Sequence, residues 1–311
     1  MIRRPATIVV AASWLAASLL PADRGEAAPP RGSVYDVDIG VDLGATLSMS
    51  FVAVLIDYEK RAWTGLSPCS GRGRVPSPEE IAEANALPED GGTCIERDMA
   101  PIDRAIIGNE SVLAERLSNV LLSAMLAAPL AYAGGEAAFS DVEDRGRRFA
   151  EDALVAYESI AAAGLVTNVV KFAAQRPRPF TYDPEVPKEV RFDGDARLSF
   201  FSGHSSLTFA AATAISYTAF ERHSGAEPWI AASTAYAIAG FVAYLRTLAG
   251  KHFVTDVLVG AAVGVATGLV ITRVHARNGP EISSSGASLQ AHADSRHDGA
   301  RPALLSLEAA F

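Results

Sequence analysis

Six apolar runs decide what this chain can fold into. They are 41–58, 117–135, the later part of 141–170, 205–220, 228–245 and 257–274. Alanine and glycine dominate them, and such small residues let helices approach one another closely. The segment DVEDRGRRFAEDALVAYESIAAAGLVTNVV opens highly charged and turns apolar toward Lys171, as a long helix entering a core does. The expected fold is an all-α helical bundle of about five or six helices.

A membrane span needs about 20 apolar residues. Three of the runs come close to that length, while others fall short or carry acids: Asp42, Glu151, Asp152 and Glu158. Arginines supply a check on topology. Arg145, Arg147 and Arg148 lie in one connection, Arg222 in another, and Arg273 and Arg277 at the start of the tail. If all face the cytoplasm, the excess of cations on that side is satisfied. Then 117–135, 150–170, 205–220, 228–245 and 257–274 cross, 40–57 packs without crossing, and the region of Lys171 faces outward. A soluble helical core would produce similar runs, so that alternative stays open.

The N-terminus has the pattern of an export signal: Arg3 and Arg4, an apolar stretch, then small residues around Ala27 and Ala28. Residues 1–27 are therefore expected to be a signal peptide or an uncleaved N-terminal anchor. Either puts the segment that follows outside the cytoplasm. Residues 28–110 hold the first apolar run and a polar, turn-rich loop containing Cys69 and Cys94, the only two cysteines. Outside the cytoplasm, a disulfide closing that loop is the natural expectation. Residues 111–275 form the core, and 276–311, rich in Ser, Gly, Asp and His, read as a disordered tail.

The chain is acidic overall, with a formal net charge of −9, which argues against nucleic acid as a main partner. Yet KFAAQRPRPF packs Lys171, Arg176 and Arg178 around two prolines. Pro177 and Pro179 end the helix there, and cations fixed at such a corner can grip a dianion. Ser202-Gly203-His204 opens the apolar run 205–220, so free backbone N–H groups and the helix dipole favour an anion at its mouth. Gly203 allows close approach. In YLRTLAGKHFVTD, His252 and Asp256 are four apart; on a helix the carboxylate would hold one ring nitrogen and present the other. Gly250 permits a turn that brings Arg246 to the same place.

Together these residues, Lys171-x6-Arg178-Pro179, Ser202-Gly203-His204 and Arg246-x5-His252-x3-Asp256, resemble the three-part signature of the type 2 phosphatidic acid phosphatase (PAP2) superfamily, which also includes bacterial acid phosphatases and vanadium haloperoxidases. The resemblance covers roughly 110–275. Phe201 stands where proline commonly precedes Ser-Gly-His, and Leu245 where serine commonly precedes the arginine. Neither change removes a charge or a catalytic nitrogen.

The resemblance implies a PAP2-type, membrane-embedded bundle and a metal-independent phosphatase. His252 would attack phosphorus and form a phosphohistidine, with Asp256 orienting it. His204 would protonate the leaving oxygen and later activate water. Lys171, Arg178, Ser202, Gly203 and Arg246 would bind the phosphate and stabilise its transition-state charge. No cofactor is expected, and the spacing of acids and histidines suggests no metal site. Arg176 is expected to face solvent, and His223, His275, His292 and His297 to be surface residues.

The substrate would be a phosphorylated lipid, a polyprenyl diphosphate or a small phosphate ester, met in the cell envelope at an inner membrane whose active site faces the periplasm or the outside. The alternatives are a soluble periplasmic acid phosphatase of broad specificity, a vanadium-dependent haloperoxidase, and a non-catalytic protein that binds or carries an anionic lipid.

Overall fold

A computed structural model describes residues 34–59, 94, 99–141 and 143–277. The helices are α1 (Ile39–Glu59), α2 (Pro101–Arg104), α3 (Val112–Phe139), α4 (Arg145–Ala174), α5 (Lys188–Arg191), α6 (Gly203–Arg222), α7 (Glu227–Leu248) and α8 (Val254–His275). Two 3-10 turns, Pro179–Tyr182 and Gly194–Arg197, shape the connection between α4 and α6.

Local chemistry sets the boundaries. Ser111, Asp144 and Ser202 each cap a long helix by accepting a hydrogen bond from the amide three residues on. Helix α4 stops at Gln175, whose φ of 44° is left-handed, two residues before Pro177. The turn between α7 and α8 needs Gly250: its φ is +62°, and a Cβ there would lie 1.8 Å from the Asn109 carbonyl oxygen.

The six long helices alternate in direction. Tyr35 pairs with Ala276, so α1 starts where α8 ends. Asn168 near the end of α4 donates to Ala53 near the end of α1. Helix α6 sits centrally, against α3, α4, α7 and α8. Its closest neighbour is α8, whose Gly260, Gly264 and Gly268 form a ridge on the α6 backbone. A Cβ at Gly264 would lie 2.3 Å from the Ser206 carbonyl oxygen. This is the close helix approach that small residues permit.

Among the described residues, five helical segments are long and apolar enough to cross a membrane: α1, α3, Arg145–Tyr182, α7 and α8. The set differs from the sequence expectation in two places. Helix α1 (run 40–57) qualifies and exposes Leu47, Phe51 and Val54, a face suited to lipid. Helix α6 (run 205–220) does not qualify, because its neighbours cover it and it can carry Ser and Thr all round: Ser205, Ser206, Thr208 and Thr213 are buried.

The acids that weakened the span reading are paired. Asp152 holds Arg222, Glu151 holds Arg147 at 2.7 Å, and Glu158 meets His275 Nε2 at 3.0 Å. His275 is therefore buried rather than a surface histidine. His223, also expected at the surface, is half-buried against Glu136 at 2.7 Å.

Arg145, Arg148, Arg222 and Arg273 all sit at one end of the bundle, the end where α1 begins. The segment after residue 28, expected outside the cytoplasm, thus reaches Tyr35 at the arginine-rich end. The export reading and the arginine count agree by sequence, but they conflict once α1 crosses. The signal region, Cys69 and the tail beyond 277 lie outside the described residues. Cys94 is buried, and its amide donates to Thr181 O at 3.1 Å.

Candidate active site

At the end of the bundle opposite those arginines, the three sequence pieces converge. Ser202 caps α6 through its side chain, and its own amide donates to Asp256 O at 3.1 Å, locking the mouth of α6 to the start of α8. Gly203 and His204 open the helix, so their amides have no intrahelical acceptor. Lys171, in the last turn of α4, reaches this mouth: its Nζ lies 3.9 Å from where a Cβ of Gly203 would stand.

His252 occupies the turn before α8 and is buried. Its Nδ1 is 2.8 Å from the Ser199 carbonyl oxygen. A carbonyl only accepts, so Nδ1 carries the proton and Nε2 presents its lone pair. Arg178 Nη1 stands 3.4 Å from that Nε2. Arg178 is itself anchored by donating to Lys251 O at 2.7 Å and Asp195 O at 2.9 Å, and by an ion pair with Asp195 at 2.7 Å. Burial first, then the charges of Arg178, Lys171, Arg246 and His204, hold the His252 imidazole well below the ordinary histidine range. The imidazole stays neutral.

Asp256 differs from the sequence expectation. His252 precedes α8 rather than lying on it, so the two residues do not share a helix face. Nδ1 and Asp256 Oδ2 are 3.8 Å apart, and Ser199 supplies the hydrogen bond that holds the ring. Asp256 acts one step back. Its Oδ2 accepts from Ser199 Oγ at 2.5 Å and from the Phe253 amide at 3.0 Å, which caps α8.

Arg176 also differs: it faces inward, not solvent. It donates to Asp256 Oδ1 at 2.5 Å and Asp103 Oδ2 at 2.8 Å, and lies 4.3 Å over the Phe253 ring. Asp103, from α2, accepts in addition from Thr255 N and Thr255 Oγ1. The prolines of KFAAQRPRPF thus aim Arg178 at His252 Nε2 and Arg176 at the carboxylates behind it.

Arg246 completes the cations. It is buried near the end of α7, and its Nη1 reaches Ser118 Oγ at 3.3 Å and Asn119 Oδ1 at 3.5 Å on α3. His204 Nε2 lies 2.8 Å from the same Asn119 Oδ1. Sequence reasoning missed Asn119, Ser199 and Asp103. A signal existed for the first: Ser118 and Asn119 are polar positions inside an otherwise apolar run, and such positions in membrane helices are functional candidates. Ser199 acts through its backbone, which sequence does not mark.

One cluster of metal-ligand type exists among the described residues, contrary to the sequence expectation of none. Asp42, Glu158 and His275 offer ligand atoms within 4.8 Å of one another. They come from three helices far apart in sequence, so no spacing reveals them. His275 closes α8 about 28 Å from Asp256, at 1.5 Å rise per residue. The cluster is thus remote from His252 and the mouth of α6.

A histidine lone pair facing Arg178, with Lys171, Arg246 and a helix mouth at the same end of the bundle, is an arrangement suited to binding an anion. Residues 152–280, which contain the whole three-part signature, match the family model of the PAP2 superfamily. The resemblance read from the motifs is borne out over that region, as is the all-α, PAP2-type bundle. The chain is 31% identical over 123 residues to the lipid A 1-phosphatase of Porphyromonas gingivalis; the aligned part is 40% of this chain and 23% of that protein. The chain thus spans less than a quarter of the curated relative it matches. No solved structure matches the chain.

Proposed function

We propose that the protein is a membrane-embedded phosphatase acting on phosphorylated lipids, through a phosphohistidine at His252. The observation that supports this reading is the pairing of His252 Nδ1 with the Ser199 carbonyl, which leaves the Nε2 lone pair facing Arg178, where a phosphate held by Arg178 would meet it. Phosphate oxygens bind Arg178, Lys171, Arg246 and the amides at the mouth of α6, which stabilise charge as the phosphoryl group transfers. These groups supply the charge that a metal supplies in other phosphatases.

His204 gives a proton to the leaving oxygen, then takes one from the water that hydrolyses the phosphohistidine. A lipid substrate is supported by the exposed apolar faces of α1, α3, α7 and α8 and by the lipid phosphatase relative. Polyprenyl diphosphates, whose terminal phosphate presents the same oxygens, are a second candidate class. By the positive-inside rule the arginine-rich end faces the cytoplasm and the site opens on the other side. A disulfide between Cys69 and Cys94 would tie the preceding loop to that outer end.

The test is release of inorganic phosphate, with EDTA present, from a panel of lipid phosphates, prenyl diphosphates and an aryl phosphate. Wild type is expected to act on lipid phosphates and His252→Ala on none of them. His204→Ala is expected to accumulate a phosphorylated histidine. Wild-type rates in His252→Ala would overturn the assignment.

A further inference from the structure

Asn119 lies on α3, outside the 152–280 region that matches the family, yet it touches two residues of the pocket. Its Oδ1 is 2.8 Å from His204 Nε2 and 3.5 Å from Arg246 Nη1. Arginine only donates. The amide atom facing it is therefore the oxygen, and that oxygen only accepts. His204 must then meet it with a proton on Nε2. Arg246 is in turn fixed by Ser118, the neighbour of Asn119. One turn of α3 thus sets both the orientation of the amide and the tautomer of the histidine.

We propose that Asn119 is a positioning residue that holds the Nε2 proton of His204 and leaves Nδ1 as the nitrogen that exchanges protons during the reaction. The inference rests on the phosphatase reading above. In the first step the Nε2 lone pair of His252 forms a bond to phosphorus and the bond to the leaving oxygen breaks. The departing oxygen keeps that electron pair and takes the Nδ1 proton of His204, which becomes an imidazolium once the bound phosphate dianion offsets the burial and the Arg246, Lys171 and Arg178 charges that otherwise disfavour its protonation. His204 is left neutral, with Nε2–H still on Asn119. In the second step Nδ1 takes a proton from water as the water oxygen bonds to phosphorus. The N–P bond breaks, inorganic phosphate leaves, and His204 is an imidazolium again.

The role predicts a dependence on the leaving group that a structural residue would not show. A nitrophenolate departs without a proton, whereas an alkoxide needs one. The full chain in detergent micelles is assayed with p-nitrophenyl phosphate and with a short-chain phosphatidic acid. The readout is kcat/KM, which reports only steps up to departure of the leaving group.

Asn119→Leu is expected to lower kcat/KM for the phosphatidic acid about 10–100-fold, the range for losing a supporting partner of a catalytic group. For the aryl phosphate the loss should be under ~3-fold, since the acid's contribution is not needed there. Asn119→Asp restores an acceptor and should keep the wild-type ratio between the two substrates. Equal losses on both substrates, or no loss on either, overturn the inference.

A wild type that releases phosphate from neither substrate sinks the phosphatase reading instead. The tautomer is then judged separately from the 15N shifts of His204. In neutral His204, a proton on Nε2 in wild type, lost to a mixture in Asn119→Leu, supports the inference, and a neutral ring with its proton on Nδ1 in wild type refutes it.

Discussion

Asp256 Oδ2 and His252 Nδ1 stand 3.8 Å apart, and the hydrogen bond that orients the ring comes from the Ser199 carbonyl at 2.8 Å. The carboxylate positions that carbonyl through the Ser199 hydroxyl and positions the start of α8 through the Phe253 amide. Asp256→Asn should therefore lower kcat by about 10–100-fold, as for other supporting partners. That is far less than the loss of ~10⁴ seen where a carboxylate directly sets a catalytic tautomer. Ser199→Ala keeps the carbonyl and should cost less than Asp256→Asn. Steady-state kinetics on a lipid phosphate check both; a 10⁴-fold loss in Asp256→Asn would mean that the carboxylate binds the ring directly during turnover.

Arg176 bridges two buried carboxylates, Asp256 and Asp103. Removing it leaves both without their shared cation, and breaking such a buried pair costs about 3 kcal/mol or more. Arg176→Ala should lower the thermal midpoint in detergent and reduce activity through a displaced α8. Arg176→Lys should restore little, because an ammonium is a point charge and cannot span both acids. A midpoint equal to wild type in Arg176→Ala would return the residue to the solvent-facing role expected by sequence.

The depressed His252 predicts a direction with pH. The unfolded chain protonates this histidine near pH ~6.5, while the folded chain, through burial and the nearby cations, resists it. Stability from neutral His252 is thus full above about pH 6.5 and is lost as the pH falls below it toward the folded value. The phosphate-free protein should show a falling thermal midpoint below that pH, with a shallower fall in His252→Gln. Removing a cation in Arg178→Gln should move the His252 titration upward, as read by 15N shifts.

Topology is tested by placing short epitopes. Tyr35 pairs with Ala276, so epitopes beside Asp36, Asp141 and Ser224 should all be reached from one side of sealed vesicles. An epitope beside Pro184 should be reached from the other. Finding Asp36 on the same side as Pro184 would break the alternation of helices and favour export of the segment after residue 28.

Much of the site was legible because it is written in charge and spacing. Lys171, Arg178, His204, Arg246 and His252 are side chains whose chemistry is fixed by residue type, at spacings that three helix ends can bring together. Less was legible where a role belongs to the backbone or to a distant helix. Ser199 works through a carbonyl that every residue possesses. Asn119 lies 85 residues from His204, and Asp42, Glu158 and His275 meet only because three helices do. The span assignment differed at α1 for a related reason: apolarity reports burial from water, and it does not say whether lipid or protein covers a helix.

Apolar helices around a cationic pocket with two histidines follow from residue order, because hydrophobic runs and charges are properties of residues. That Ser199 rather than Asp256 holds His252, that Arg176 turns inward and that Asn119 joins the pocket are outcomes of helix packing. Those outcomes depend on which donor reaches which acceptor within about 3 Å. Helix packing fixes such distances, and residue order alone does not.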